Sequence, residues 1–187
     1  MPRRAGNPLP EWNLVVTTRP QHFVQACEVI GAFGPLRRTP FFNVLVGRLP
    51  DPTAFLEAMR GRYTSEPDLR RVFGRIVPST SCFDFATAEE FAARAQAIAL
   101  AWIDRLAGCA FHVRLHRRGA KHLLSGHSIE KLLDDALIDA LRTRGQSATV
   151  SFDDPDYILT IETVGSRACH SLWGRDERAR YPFLNLG

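Results

Sequence analysis

Apolar positions recur along this chain at two periods, and the switches between them mark its elements. Asn13–Thr18 is a short apolar run that predicts a buried strand. Pro20 then opens a helix that carries Phe23, Cys27 and Ile30 on one stripe and stops at Gly34. Phe42–Arg48 predicts a second strand. Asp51-Pro52 supplies the N-cap and first helical position of a helix bearing Phe55, Leu56 and Met59, ending near Gly61. Glu66–Val72 adds a helical turn, and Phe73–Pro78 and Ser81–Asp84 add one or two strands.

A second series begins at Thr87. Thr87-Ala-Glu-Glu90 is a capping box, and Phe91, Ala95, Ile98 and Trp102 form one stripe of a helix running to about Leu106, with Gly108 as its stop. Phe111 begins a strand. Ser128 caps a regular amphipathic helix in which Ile129, Leu132, Leu133, Ala136, Leu137, Ala140 and Leu141 share a face. Arg142 and Arg144 fall in its last turn and Gly145 follows, as the helix dipole and the C-cap favour. Thr149–Phe152 predicts a short strand, Asp153–Asp156 a turn, Tyr157–Val164 the strongest strand of the chain, and Arg167–Trp173 the last.

These patterns predict an α+β protein of two parts. Residues 1–11 read as a disordered leader. Residues 12–85 run strand, helix, strand, helix, strand, which predicts a ferredoxin-like domain. Residues 86–175 form a second α/β domain, and 176–187 a C-terminal tail.

Composition adds charge to this picture. The 187 residues carry a net +4 and a pI near 9.2. All of the 24 basic side chains except Lys121 and Lys131 are arginines, the better group for bidentate phosphate contacts and for stacking on bases. No apolar run approaches the ~18 residues that span a bilayer, and no secretory signal opens the chain. Cys27, Cys82, Cys109 and Cys169 are far apart with no CxxC spacing, which predicts free thiols, a reducing cytoplasm and no zinc site.

Catalytic signatures are absent from the sequence: there is no GxSxG, P-loop or GxGxxG. His112, His116, His122 and His127 lack a Cys or carboxylate at ligand spacing, so no metal and no cofactor is expected. Asp153, Asp154 and Asp156 read as a turn before a strand, with a general-base cluster or a divalent-ion site as the rival readings. Glu162 reads as satisfied or solvent-facing.

The informative stretch is Phe111–Gly119. Phe111, Val113 and Leu115 alternate with His112, Arg114 and His116, so one face is buried and the other is cationic. The strand then runs into Arg117, Arg118, Gly119, Lys121 and His122, a basic turn suited to phosphate, with solvated charges on an edge strand as the plain alternative.

Two segments, Phe111-x-Val-Arg-x-x-Arg-Arg-Gly119 and Pro155-Asp-x-x-Leu-x-Ile-Glu162, flank the amphipathic helix that ends at Gly145. Together they resemble the THUMP domain, an RNA-binding module, over roughly residues 87–175. The resemblance implies a preceding ferredoxin-like domain and binding to structured tRNA through shape, phosphates and 2′-hydroxyls. It implies an RNA-contacting set of Arg114, His116, Arg117, Arg118, Gly119, Lys121 and His122, extended by Arg142, Arg144 and Arg167 if the fold gathers them. Most family members continue into a methyltransferase, 4-thiouridine synthetase or pseudouridine synthase domain. With only residues 174–187 after Trp173, the chain is more similar to stand-alone THUMP proteins that present tRNA to a modifying enzyme in trans. The expectation is therefore a cytoplasmic tRNA-binding accessory protein, not an enzyme. The alternatives are a small ferredoxin-like enzyme using the Asp and His clusters, or an assembly protein with no nucleic-acid role.

Overall fold

The computed structural model describes residues 11–186; the expected leader lies outside them except for Glu11. The chain is α+β and divides into two compact units, one ending at Val77 and one beginning at Pro78.

In the first unit the elements are β1 (Leu14–Thr18), α1 (Phe23–Gly31), β2 (Leu36–Arg38), β3 (Val44–Gly47), α2 (Pro52–Ser65), α3 (Leu69–Val72) and β4 (Phe73–Pro78). The sheet order is β2-β3-β1-β4. With α2 and α3 taken as one helical crossover, the order is β-α-β-β-α-β, one strand more than the sequence pattern of residues 12–85 predicts. The Asp51 side chain accepts from the Thr53 and Ala54 amides, both at 2.9 Å, so the cap acts as its sequence suggested. The helix nevertheless runs to Ser65, because Met59 and Tyr63 continue its buried stripe past Gly61. Strand β2 was not anticipated: with three residues it is too short to show a period.

The second unit holds β5 (Ser81–Asp84), α4 (Ala88–Leu100), α5 (Ile103–Leu106), β6 (Ala110–Arg118), α6 (Gly126–Thr143), β7 (Thr149–Val150), β8 (Tyr157–Val164), β9 (Arg167–Gly174) and α7 (Arg175–Arg180). Its sheet order is β5-β9-β8-β6-β7. β6 is parallel to β8, as a strand–helix–strand crossover requires, whereas β8 and β9 form an antiparallel hairpin. The core joins Phe91 and Ala95 of α4, Leu133, Leu137 and Leu141 of α6, and Phe111, Val113, Leu115, Leu159 and Ile161 of the sheet.

Three expectations are corrected here. The boundary at 85/86 falls too late: β5 pairs with β9 of the second sheet, Cys82 facing Cys169. Local pattern identifies a strand but not the sheet that receives it. That pairing sets the two Cα atoms 4.1 Å apart, and Cys82 and Cys169 form a disulfide while Cys27 and Cys109 stay free. The inference from four free thiols to a reducing compartment thus loses half its basis. Finally, 176–187 is not simply a tail. It completes α7, and Tyr181, Phe183, Leu184 and Leu186 are buried.

Candidate nucleic-acid interface

Strand β6 carries the candidate site, and its alternation is as read. Phe111, Val113 and Leu115 enter the core; Arg114 and His116 are half-buried on the other face. His112 on that face is buried. Its Nδ1 lies 2.8 Å from the Ser151 carbonyl and the Phe152 ring stacks on it at 5.0 Å. Burial lowers its pKa, so it is neutral near pH 7.

On one side β6 has β8 along eight residues. On the other, β7 reaches only Ala110 and Phe111. Helix α6 satisfies the amides beyond. Asp134 Oδ1 accepts from Val113 N at 2.9 Å, and Glu130 Oε1, one turn earlier, accepts from Leu115 N at 2.7 Å. Two carboxylates at i, i+4 thereby replace a missing strand and fix β6 to α6. Asp134 is buried, and that desolvation raises its pKa to about 7; Glu130 and Asp135 push the same way, while the Val113 hydrogen bond and Lys131 oppose it.

At its end β6 splits its arginines between two jobs. Arg117 folds back, its guanidinium donating to the carbonyls of Lys121 (3.3 Å) and Leu124. It is the clasp of the 119–124 turn. Gly119 (φ 89°) and Ala120 (φ 49°) make the turn in the left-handed region. Lys121 and His122 are left exposed on it. Arg118 pairs with Glu162, whose side chain is fully buried while that of Arg118 is 13% exposed. A buried carboxylate partner in the sheet makes Arg118 a structural residue rather than an open phosphate contact. Sequence could not show this, because Glu162 lies 44 residues away and becomes a neighbour only through the β6–β8 register.

The remaining candidates separate. Arg167 starts β9 beside the end of β8, at the same end of the sheet as Arg118, and contacts Asp84 at 3.2 Å. Arg142 and Arg144 sit at the far end of α6, paired with Asp139 and Asp104 at 2.8 Å each. The 18-residue helix α6 puts about 27 Å between its ends. Those two arginines therefore do not join the 119–124 turn. A cleft of about 550 Å³ at the start of the sheet is lined by Arg105, Tyr157, Arg175 and Glu177 among others. Sequence reading passed over it because its residues are scattered. Asp156, in its wall, accepts from Ala110 N at 2.8 Å and from Arg175 at 3.1 Å, which explains it as a turn residue. Among the described residues no three His, Cys, Asp or Glu side chains gather as metal ligands, and no helix is long and apolar enough to cross a membrane.

Changing Gly119 to Val tests the turn. A β-branched residue at φ 89° is strained by ~1–3 kcal/mol, so the variant should melt earlier than the parent. An unchanged melting temperature would mean that the turn has another conformation.

No protein-family model and no curated protein matches the chain. Solved structures do. TrmN from Thermus thermophilus superposes with a TM-score of 0.55 at 16% identity, over 85% of this chain and 44% of its own. A 4-thiouridine synthetase in complex with RNA and ATP gives 0.53 at 8% identity, over 88% and 42%. A protein of Clostridium difficile 630 described as a possible methylase gives 0.53 at 12%, over 86% and 40%. The chain thus spans less than half the length of these three structures. At these identities the likeness concerns the fold, which is THUMP-like. It also corrects one expectation. The shared architecture occurs in a synthetase and in a chain described as a possible methylase, which overturns the reading of the protein as a non-enzymatic accessory. That reading rested on the space left after Trp173.

Proposed function

We propose that the chain binds structured RNA, tRNA foremost, as the RNA-binding part of a tRNA-modifying enzyme system. In this reading a ferredoxin-like unit precedes a THUMP unit, and the RNA is held for modification chemistry. The observation that carries it is the 119–124 turn. Arg117 spends its guanidinium on the turn's own carbonyls, and Lys121 and His122 stand exposed on the turn it clasps. A preorganised cationic turn at the end of a rigid sheet suits the phosphates and 2′-hydroxyls of A-form RNA, whose base edges are out of reach. The RNA held by the similar 4-thiouridine synthetase supports the same reading.

Binding of a tRNA transcript, followed by fluorescence anisotropy across salt concentrations, tests it. With about four phosphates contacted, log K should fall against log salt with a slope of roughly −3 to −4. The Lys121→Ala/His122→Ala variant changes exposed side chains only. It should melt with the parent, bind tRNA several-fold more weakly and show a slope shallower by about 1. A salt-independent affinity, or a variant that binds as the parent does, would count against the proposal.

A further inference from the structure

The first unit has a cationic end that the 119–124 turn does not explain. Four chain segments meet there through the strand register. Thr17 pairs with Val44, and Arg38 with Leu45. Thr18 N donates to Asn43 O at 2.9 Å and Arg19 N to Val72 O at 2.8 Å. The exits of β1 and β2 and the entries of β3 and β4 therefore lie side by side, bringing Arg19, Arg38, Arg70 and Arg71 to one edge. All four are exposed, and among the described residues none has a carboxylate within ion-pair distance. Burial raises the pKa of the Tyr63 hydroxyl, and Arg19 and Arg70 both pull it back, which puts the two guanidiniums near the same side chain. Asp68 is the nearby acidic residue in sequence; Glu66 is occupied by Arg62.

An aromatic ring stands among these charges. Phe42 is 84% exposed, the most exposed large apolar side chain of the described residues. It is held outward by a built turn. Asn43 takes φ 57°, and the Thr39 hydroxyl accepts from Phe41 N at 3.1 Å while donating to Val44 O at 3.0 Å. Arg38 lies over the Phe23 ring at 4.4 Å, so its guanidinium is already held flat.

Resting on the RNA-binding reading above, we infer that this end of the first sheet is a second RNA contact: it takes unpaired nucleotides, a base stacking on Phe42 and the flanking phosphates on Arg19, Arg70 and Arg71. A solvent-facing ring among unpaired guanidiniums is the combination that single-strand binders use, because every base offers a π-face and every linkage a charge. A duplex would conceal its bases from Phe42, so the surface should prefer single strands.

The test uses the full chain and a labelled single-stranded RNA of about 12 nucleotides, within the footprint of such surfaces. Phe42→Ala should weaken binding about 10-fold with an unchanged salt slope. Arg70→Ala/Arg71→Ala should weaken it to a similar extent and make the slope shallower by about 1 to 2. Both should melt with the parent, since the replaced side chains are exposed. If Phe42→Ala binds as the parent does, the stacking platform is refuted. If the arginine variant loses polyglutamate as readily as RNA while Phe42→Ala is silent, the surface serves an acidic protein and the inference fails. If the parent binds tRNA through Lys121 and His122 but ignores the single strand, this inference falls and the earlier reading stands. A parent that binds neither RNA defeats both.

Discussion

Arg118→Ala should destabilise the second unit by about 3–5 kcal/mol, the usual consequence of stranding one partner of a buried ion pair. Glu162 is fully buried and Arg118 nearly so. Removing the guanidinium leaves a carboxylate in the sheet that must stay charged at a desolvation cost or take up a proton. Restoring neutrality with Arg118→Ala/Glu162→Gln should return part of the loss, and the double variant should be more stable than the single. Chemical denaturation of the three proteins measures this. If Arg118→Ala unfolds with the parent, the pair is not a structural one and Arg118 returns to the list of RNA contacts. The contrast with Lys121 and His122 is the point of the experiment: neighbouring basic residues of one motif should divide between folding and binding.

Asp134→Asn should make the protein more stable at pH 8, by about 2 kcal/mol. The folded pKa of Asp134 is raised from the model-peptide value of 3.8 to about 7. A raised carboxyl pKa means that the folded state holds the proton more tightly than the unfolded one. Its contribution is fully present below about pH 4 and is lost as pH rises to about 7. A shift of about three units corresponds to about 4 kcal/mol at most, at 1.36 kcal/mol per unit. Asparagine can keep an oxygen on Val113 N and removes the charge, but it brings an NH₂ group that needs a partner, which reduces the gain. The difference between variant and parent should shrink or reverse at pH 4, where Asp134 is protonated. Equal stabilities at both pH values would show that the buried carboxylate is better solvated than its packing indicates.

The parts that could be read from sequence were those specified locally. Helix α6 announced itself by its apolar stripe and by its basic last turn before Gly145, although its N-cap is Ser125, three residues before the expected Ser128. The alternation of β6 survived intact, since a period of two is a property of the strand alone. What escaped depended on partners. Arg118 and Glu162 are a pair only in the parallel register, and Cys82 and Cys169 only because β5 joins β9. Lys121 and His122 were legible as basic residues. The role of Arg117 as the clasp of their turn was not, because its acceptors are backbone carbonyls, which every residue has. Arg142 and Arg144 were counted with the site on charge alone, although α6 carries them to the other end of the sheet. The cluster around Phe42 was invisible for the opposite reason: its four segments are separated in sequence and joined only by strand order.

The pairing pattern of the second sheet also sets an order of events. The β8–β9 hairpin closes through two residues, Gly165 and Ser166, and such hairpins form in about 1–10 μs. β6 must wait for β8 across 46 residues, from Ala110 to Asp156. β5 waits longest, since Cys82 and Cys169 are 87 residues apart. Contacts so distant are slow, because chain closure is costly before the pairing can offset it. During synthesis Ser81–Asp84 leaves the ribosome long before Arg167–Gly174 exists to receive it. For that interval Phe83 has no sheet to enter, and the segment is an unpaired strand open to other chains.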